Sequence, residues 1–191
     1  MKNIISILSL LILFSCGHNG TTEGNLTIGD SNIRGNPESS IAKQLNSVSV
    51  ETWINTGIGG QDCEEIEPRF YSDIKKFKPE TVILTCGQND VDDLGYEDSV
   101  KNSLTRMINY ANEKGIKLYI LNLNFEKQSL YDYERNLLND WINQIDVEGV
   151  TIFDFHQFSL DNLDLYRDRI HLNDEGYKKL ADELNQLIKE N

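Results

Sequence analysis

Beyond Asn25 the chain switches repeatedly between short apolar runs and amphipathic segments of helical period. No other feature narrows the choice of fold as much. Strands separated by helices pair in parallel through right-handed crossovers. Thr81 to Cys86 is a near-continuous apolar run, as a central parallel strand reads when helices cover both faces of its sheet. Further strands are predicted at Leu26–Ile28, Val48–Ile54, Lys117–Leu121 and Val150–Phe153.

The helices fall between them. Glu38 to Leu45 reads as a helix with Pro37 near its start and Ser39 or Ser40 as its cap. Asp62 to Phe77 reads as a helix that Pro68 must break or restart. Glu97 to Lys114 carries Val100, Leu104, Met107, Ile108 and Ala111 at helical spacing, with Gly115 as a C-cap. Leu130 to Ile145 places Leu137, Leu138, Trp141 and Ile145 on one stripe. Asp154 to Leu172 shows no periodicity, and Asn173 caps a last helix through Tyr177, Leu180, Leu184 and Leu187. The expected architecture is α/β: a three-layer α/β/α sandwich on a flavodoxin-like, five-stranded parallel sheet in the order 2-1-3-4-5.

The first fifteen residues form a separate object. Lys2 supplies a positive start, and Ile4 to Phe14 is apolar but too short to span a bilayer, as in the core of a secretory signal. Leu13-Phe14-Ser15-Cys16 resembles a bacterial lipobox. That resemblance implies cleavage before Cys16 and lipid attachment to its thiol. The other reading is an ordinary secreted protein cut nearby. Residues 16–25 read as a polar tether, and 26–191 as the folded domain. The protein is thus expected in a bacterial cell envelope, touching membrane only through its anchor. Cys63 and Cys86 could pair in an exported protein, but read more simply as two small buried hydrophobes.

Acidic residues number 31 against 18 basic, for a formal charge of −13. That balance argues against nucleic-acid binding, which needs a basic face. No metal or other cofactor is expected: of three histidines, His18 lies in the tether and His156 reads as structural. Gly57-Ile58-Gly59-Gly60 lacks the spacing of a dinucleotide fingerprint. Asp62, Glu64, Glu65 and Glu67 read as a solvated helix face.

Chemistry is expected at the carboxyl edge of the sheet. Leu26 to Gly35 (Leu-Thr-Ile-Gly-Asp-Ser-Asn-Ile-Arg-Gly) is a strand running into a tight turn that exposes Ser31. A serine becomes a nucleophile only with a base, a group to orient that base, and donors for an oxyanion. The loops after strands one, two, three and five share the edge, and they hold Ser31, Gly60, Asn89 and the segment Asp168-Arg169-Ile170-His171. Singly, each residue has an ordinary reading: a turn serine, a turn asparagine, one more acid, a histidine at a helix start.

In order along the chain, these segments resemble the blocks of the GDSL, or SGNH, hydrolase superfamily. Gly29-Asp30-Ser31 matches the first block, Asn55-Thr56-Gly57-Ile58-Gly59-Gly60 the second, Gly87-Gln88-Asn89-Asp90 the third, and Asp168 to His171 the last. The resemblance implies a serine esterase. Ser31 would attack, His171 would serve as base and then acid, and Asp168 would orient it. The Ser31 and Gly60 backbone N–H groups and the Asn89 amide would hold the oxyanion. Gly60 is expected to be glycine so that the backbone can approach the ligand. Asp30 and Asp90 are left to loop hydrogen bonding. Asn32, where the family usually has an apolar residue, and Arg34 read either as favouring polar substrates or as surface residues. The expected substrate is a small or medium ester, by family analogy an O-acetylated carbohydrate. A lysophospholipase or acyl-thioesterase is the enzymatic alternative, and a non-catalytic envelope binding module the alternative of another class.

Overall fold

Along the middle strand of the sheet, side chains alternate between two separate cores. The structure, a computed structural model, describes residues 23–91 and 96–191. Strands β1 (Asn25–Ile28), β2 (Trp53–Asn55), β3 (Thr81–Thr85), β4 (Lys117–Leu121) and β5 (Val150–Phe153) pair in parallel in the order β2-β1-β3-β4-β5. This is the expected order, and β4 and β5 have the expected bounds.

Successive side chains of a strand point to opposite faces. Val82 and Leu84 therefore join Leu26, Ile28, Leu118 and Ile120 on one face, and Ile83 joins Tyr119 and Leu121 on the other. The first face is covered by α3 (Cys63–Phe77), α4 (Tyr96–Glu113) and α5 (Asp132–Ile142). The second is covered by α1 (Ser31–Arg34), α2 (Ile41–Val48), α6 (Phe155–Asp161) and α7 (Asp174–Glu190). All five β3 residues are buried. Each large aliphatic side chain there contributes about 1.5–3 kcal/mol by leaving water.

Several expectations need correction. Asn25 is strand, not tether: it is 8% exposed, and its Oδ1 accepts the Thr81 N–H. The helix expected at 38–45 starts at Ile41, because it is Ser40 that accepts the Lys43 N–H as cap, and it runs on to Val48. Of the expected strand 48–54 only Trp53 and Ile54 join the sheet, with Asn55 added, and Val50 is fully exposed.

Pro68 does not break α3, which runs unbroken to Phe77. Pro68 sits at an exposed position of the second turn, and Glu64, whose carbonyl it leaves without an N–H donor, is an exposed residue as well. Nor are the acids of α3 merely solvated. Asp62 and Glu65 form a reciprocal capping box, and Glu67 takes a two-pronged pair from Arg106 of α4. On α5 the buried stripe is Leu138 and Ile142, while Leu137 is half-exposed.

The stretch 154–172 is not wholly irregular. It contains α6, capped by Asp154, and a 3-10 turn at Leu163–Leu165. Cys63 and Cys86 are buried, as expected, but they are joined in a disulfide, with Cα atoms 5.2 Å apart. One opens α3 and the other follows β3, so the bond ties a covering helix to the sheet. The expected signal segment, Cys16 and His18 lie outside the described residues, among which no helix is long and apolar enough to cross a membrane.

Candidate active site

The turn after β1 is shaped by close approach. A Cβ on Gly29 would stand 2.2 Å from the Thr85 Oγ1, so only glycine lets the ends of β1 and β3 converge. Asp30 then caps α1, accepting the Asn32 N–H at 2.8 Å. Its carboxyl is fully buried. Burial pushes its pKa up, against hydrogen bonds from Asn32 and Thr85 and the nearby charge of His171. Asp30 is therefore a brace beneath the turn, and Ser31 opens the helix at its rim, partly exposed.

The histidine arrives from the other end of the chain. Tyr166 and Leu172 form an antiparallel bridge, and the Arg167 N–H donates to the His171 carbonyl at 3.0 Å. These bonds close a tight loop with Asp168 near its tip. The Asp168 Oδ1 accepts the N–H groups of Ile170 (2.9 Å) and His171 (2.8 Å), an Asx-type turn that the three-residue spacing makes possible. Its carboxylate also meets His171 Nδ1 at 2.9 and 3.0 Å. The ring's other nitrogen, Nε2, lies 2.9 Å from Ser31 Oγ. Hydroxyl, imidazole and carboxylate thus form one hydrogen-bonded line.

The electrostatics follow from these contacts. Burial acts to raise the Asp168 pKa, but the two backbone N–H groups and the imidazole outweigh it and hold the carboxyl at about 2. An ionised Asp168 favours the tautomer with its proton on Nδ1, which leaves Nε2 to accept from the serine hydroxyl.

The other two expected residues occupy the neighbouring loops. Gly60 has φ +81, and a Cβ there would meet nothing within 4 Å. The left-handed backbone by itself calls for glycine, and the space a Cβ would fill is open to a ligand. The Asn89 Nδ2 donates to the carbonyl of Gln61, the residue after Gly60, at 2.9 Å, so these two loops are tied together. Asp90 accepts the Cys63 N–H at the start of α3, and Asp30 and Asp90 both do the loop hydrogen bonding expected of them.

Three supporting residues were not singled out for this role. Arg69 of α3 donates to the Thr56 carbonyl (2.6 Å), the Gly29 carbonyl (3.3 Å) and the Gln61 Oε1 (2.7 Å), stapling the first two loops. Asn32 is 3% exposed and so is not a surface residue; its Nδ2 donates to Asn124 Oδ1. Asn124 in turn donates to the Ile170 carbonyl at 2.7 Å, next to His171. Behind Asn124, the fully buried Arg135 is matched by Glu126 at 2.8 Å and Asp132 at 3.2 Å. The departure from the family's apolar residue at position 32 was the one signal in the sequence that pointed to this network.

The chain shares its fold with solved hydrolase structures. An acetyl xylan esterase superposes with a TM-score of 0.76 at 21% identity, covering 86% of this chain and 98% of that one. A member of the lipolytic protein G-D-S-L family from Veillonella parvula gives 0.74 at 17%, covering 86% and 97%. An acetylxylan esterase from Geobacillus stearothermophilus gives 0.67 at 20%, covering 87% and 94%. No curated protein sequence matches the chain. The model of one family, described as GDSL-like lipase/acylhydrolase, matches residues 27–179. That match spans most of the chain and all four blocks at the carboxyl edge of the sheet, and the chain belongs to this family of ester-hydrolysing enzymes.

Proposed function

We propose that Ser31, His171 and Asp168 are the nucleophile, the general base and acid, and the orienting carboxylate of an esterase for O-acetylated carbohydrates. The observation that carries the reading is the unbroken line from Ser31 Oγ through the imidazole to Asp168. As Ser31 attacks the ester carbonyl, its proton passes to His171 Nε2, and the carbonyl oxygen becomes an oxyanion. The backbone N–H groups of Ser31 and Gly60 and the Asn89 amide are the donors that would meet it. Losing one such donor costs on the order of 3 kcal/mol of transition-state stabilisation. Collapse of the intermediate breaks the ester C–O bond, and His171 returns the proton to the departing alcohol. Water then repeats the sequence on the acyl-enzyme, releasing acetate and freeing the serine.

The carbohydrate assignment draws on the acetyl xylan esterases among the structural neighbours. The envelope location draws on the apolar leader and Cys16, and a disulfide at Cys63–Cys86 suits an oxidising compartment. Labelling with a fluorophosphonate tests the nucleophile: the native protein takes up label and Ser31→Ala does not. A native protein that neither labels nor hydrolyses p-nitrophenyl acetate would overturn the assignment. Esters of increasing acyl length test the substrate class. A maximum at acetate supports deacetylation, whereas a maximum at long chains moves the assignment to lipid or thioester substrates. Metabolic labelling with palmitate, compared with Cys16→Ala, tests the anchor.

A further inference from the structure

An open cleft of about 530 Å³ is lined by Arg34, Gly35, Asn36, Pro37 and Arg167. Its two cations come from the two segments that carry the reacting groups. Arg34 ends the single helical turn that Ser31 begins, and Arg167 immediately precedes Asp168. Such a pairing of cations is conspicuous in a chain with 31 acidic and 18 basic residues.

The loop after β2 packs against Arg34. A Cβ on Gly57 would lie 2.3 Å from the Arg34 backbone nitrogen. A Cβ on Gly59 would lie 2.7 Å from Arg34 Nη1 and 2.8 Å from Cζ. Neither glycine has a positive φ; at Gly57 the crowding is against backbone, so room calls for glycine there, whereas at Gly59 a Cβ would meet only the movable end of the Arg34 side chain. The guanidinium therefore lies against Gly59, one residue from the proposed oxyanion donor Gly60. Arg34 is exposed, and its guanidinium makes no ion pair or hydrogen bond among the described residues. Arg167 touches one carboxylate, Asp168, at 3.5 Å through Nε. The acids around the cleft are engaged or peripheral: Asp168 holds His171, Asp174 accepts from Asn36 at 3.1 Å, and Glu38 is exposed.

We propose that Arg34 and Arg167 bind a carboxylate on the alcohol portion of the ester, so that the preferred substrates are O-acetylated acidic saccharides of the uronate class. This inference rests on the esterase reading above. An acetyl group carries no charge, so an anion presented to this cleft must belong to the alcohol. Guanidinium forks match the planar geometry of a carboxylate. A monoanion also suits a cleft with three acids at its edge better than a phosphate dianion would. Acids farther away are screened over about 8 Å at physiological ionic strength.

The test compares acetate release from O-acetylated oligogalacturonides and from the same oligomers after methyl esterification, which removes the charge and keeps the sugar. p-Nitrophenyl acetate serves as the neutral reference. The expected kcat/KM is at least roughly tenfold higher for the acid form, mainly through KM. The ratio should fall toward one in 0.5 M salt and in Arg34→Gln/Arg167→Gln, while Arg34→Lys retains part of it. Because both substrates are read on the same enzyme, a partly unfolded variant does not distort the ratio. If p-nitrophenyl acetate is cleaved but the acid and methyl-ester forms react alike, or if the preference survives in the double variant, the carboxylate site is wrong and the esterase reading stands. If the neutral ester is not cleaved either, both fall together.

Discussion

Asn32 and Asn124, 92 residues apart in the chain, meet in the interior with Nδ2 to Oδ1 at 3.1 Å. Both are almost wholly buried, at 3% and 1% exposure. Asn124 also donates to the Ile170 carbonyl (2.7 Å) and the Tyr166 hydroxyl (3.3 Å). The residue after Ser31 is thereby bound, through one side chain, to the residue before His171. Gln88, with its amide turned to satisfy both neighbours, adds a bond to Asn124 at 2.8 Å and accepts from Arg135.

Removing Asn124 should loosen this link without touching a reacting atom. Asn124→Ala leaves the buried Asn32 amide without its partner, at about 1–3 kcal/mol, and also releases the half-buried Ile170 carbonyl. Urea unfolding should show that loss. In steady-state assays with p-nitrophenyl acetate, kcat should fall while KM holds, because the imidazole is less well aligned with Ser31. Equal stability and equal kcat would mean that the link positions nothing.

Asp168 sets an acid boundary. Its folded pKa of about 2 lies below the ordinary 3.8. A depressed carboxyl contributes stability that is complete above its unfolded pKa and is lost as pH falls through the folded one. That contribution is therefore full above about pH 4 and gone below about pH 2. An acid limb of the pH–rate profile with a midpoint well above 4 cannot belong to this group. Asp168→Asn removes both the ionised partner of Nδ1 and the limb it governs. In the Ser-His-Asp template such a change lowers kcat on the order of 10⁴-fold. A profile and rate unchanged in Asp168→Asn would remove the carboxylate from the mechanism.

The same sign applies to Glu67 of α3. Its two oxygens meet Arg106 Nε at 2.7 Å and Nη2 at 2.6 Å, and the Tyr71 hydroxyl donates to one of them at 2.7 Å. The Arg106 hydrogen bond is the main reason that its pKa drops from 4.5 to about 2. Burial, aided by the bond to Glu67, pushes the Tyr71 phenol up to about 12. Glu67→Gln should therefore be less stable than the native protein above pH 4.5. The difference should shrink as pH falls from 4.5 toward 2. Urea midpoints of the two proteins at pH 6 and pH 2.5 check this, and a gap that does not narrow in acid would contradict it.

What could be read from the sequence was whatever neighbouring residues decide. Lys117–Leu121 and Val150–Phe153 are short runs of strand formers bounded by turn residues, and they appear with those bounds. Gly29-Asp30-Ser31 and Asp168 to His171 were legible because their roles depend on fixed local spacing, a helix cap and an Asx turn. The misses are set by contacts made elsewhere. Val48 to Thr52 has the composition of a strand, but β1 pairs only with Trp53 to Asn55. The seven-residue α6 is too short to show a period, and Asp154 at its cap is itself bonded to Asn122. Asn32, Arg69 and Asn124 look like ordinary polar residues until the sheet brings their partners within reach.

The cysteine pair belongs with those misses, since a separation of 23 residues says nothing about distance in space. Folding brings Cys63, at the start of α3, beside Cys86, at the end of β3, and both are buried. Closing a loop of that size restricts the unfolded chain by about 3 kcal/mol in the chain-entropy account. For a domain of this length, that corresponds to a fall in Tm of about 6–12 °C. Cys63→Ala/Cys86→Ala should show this fall in differential scanning calorimetry, with part of it coming from lost packing around the sulfurs. The bond also fixes the start of α3, where the Cys63 N–H is held by Asp90, one residue from Asn89. The double variant should therefore lose kcat as well as stability when assayed well below its Tm. A variant with native Tm and native kcat would show that the crosslink neither stabilises the domain nor steadies the loop that carries Asn89.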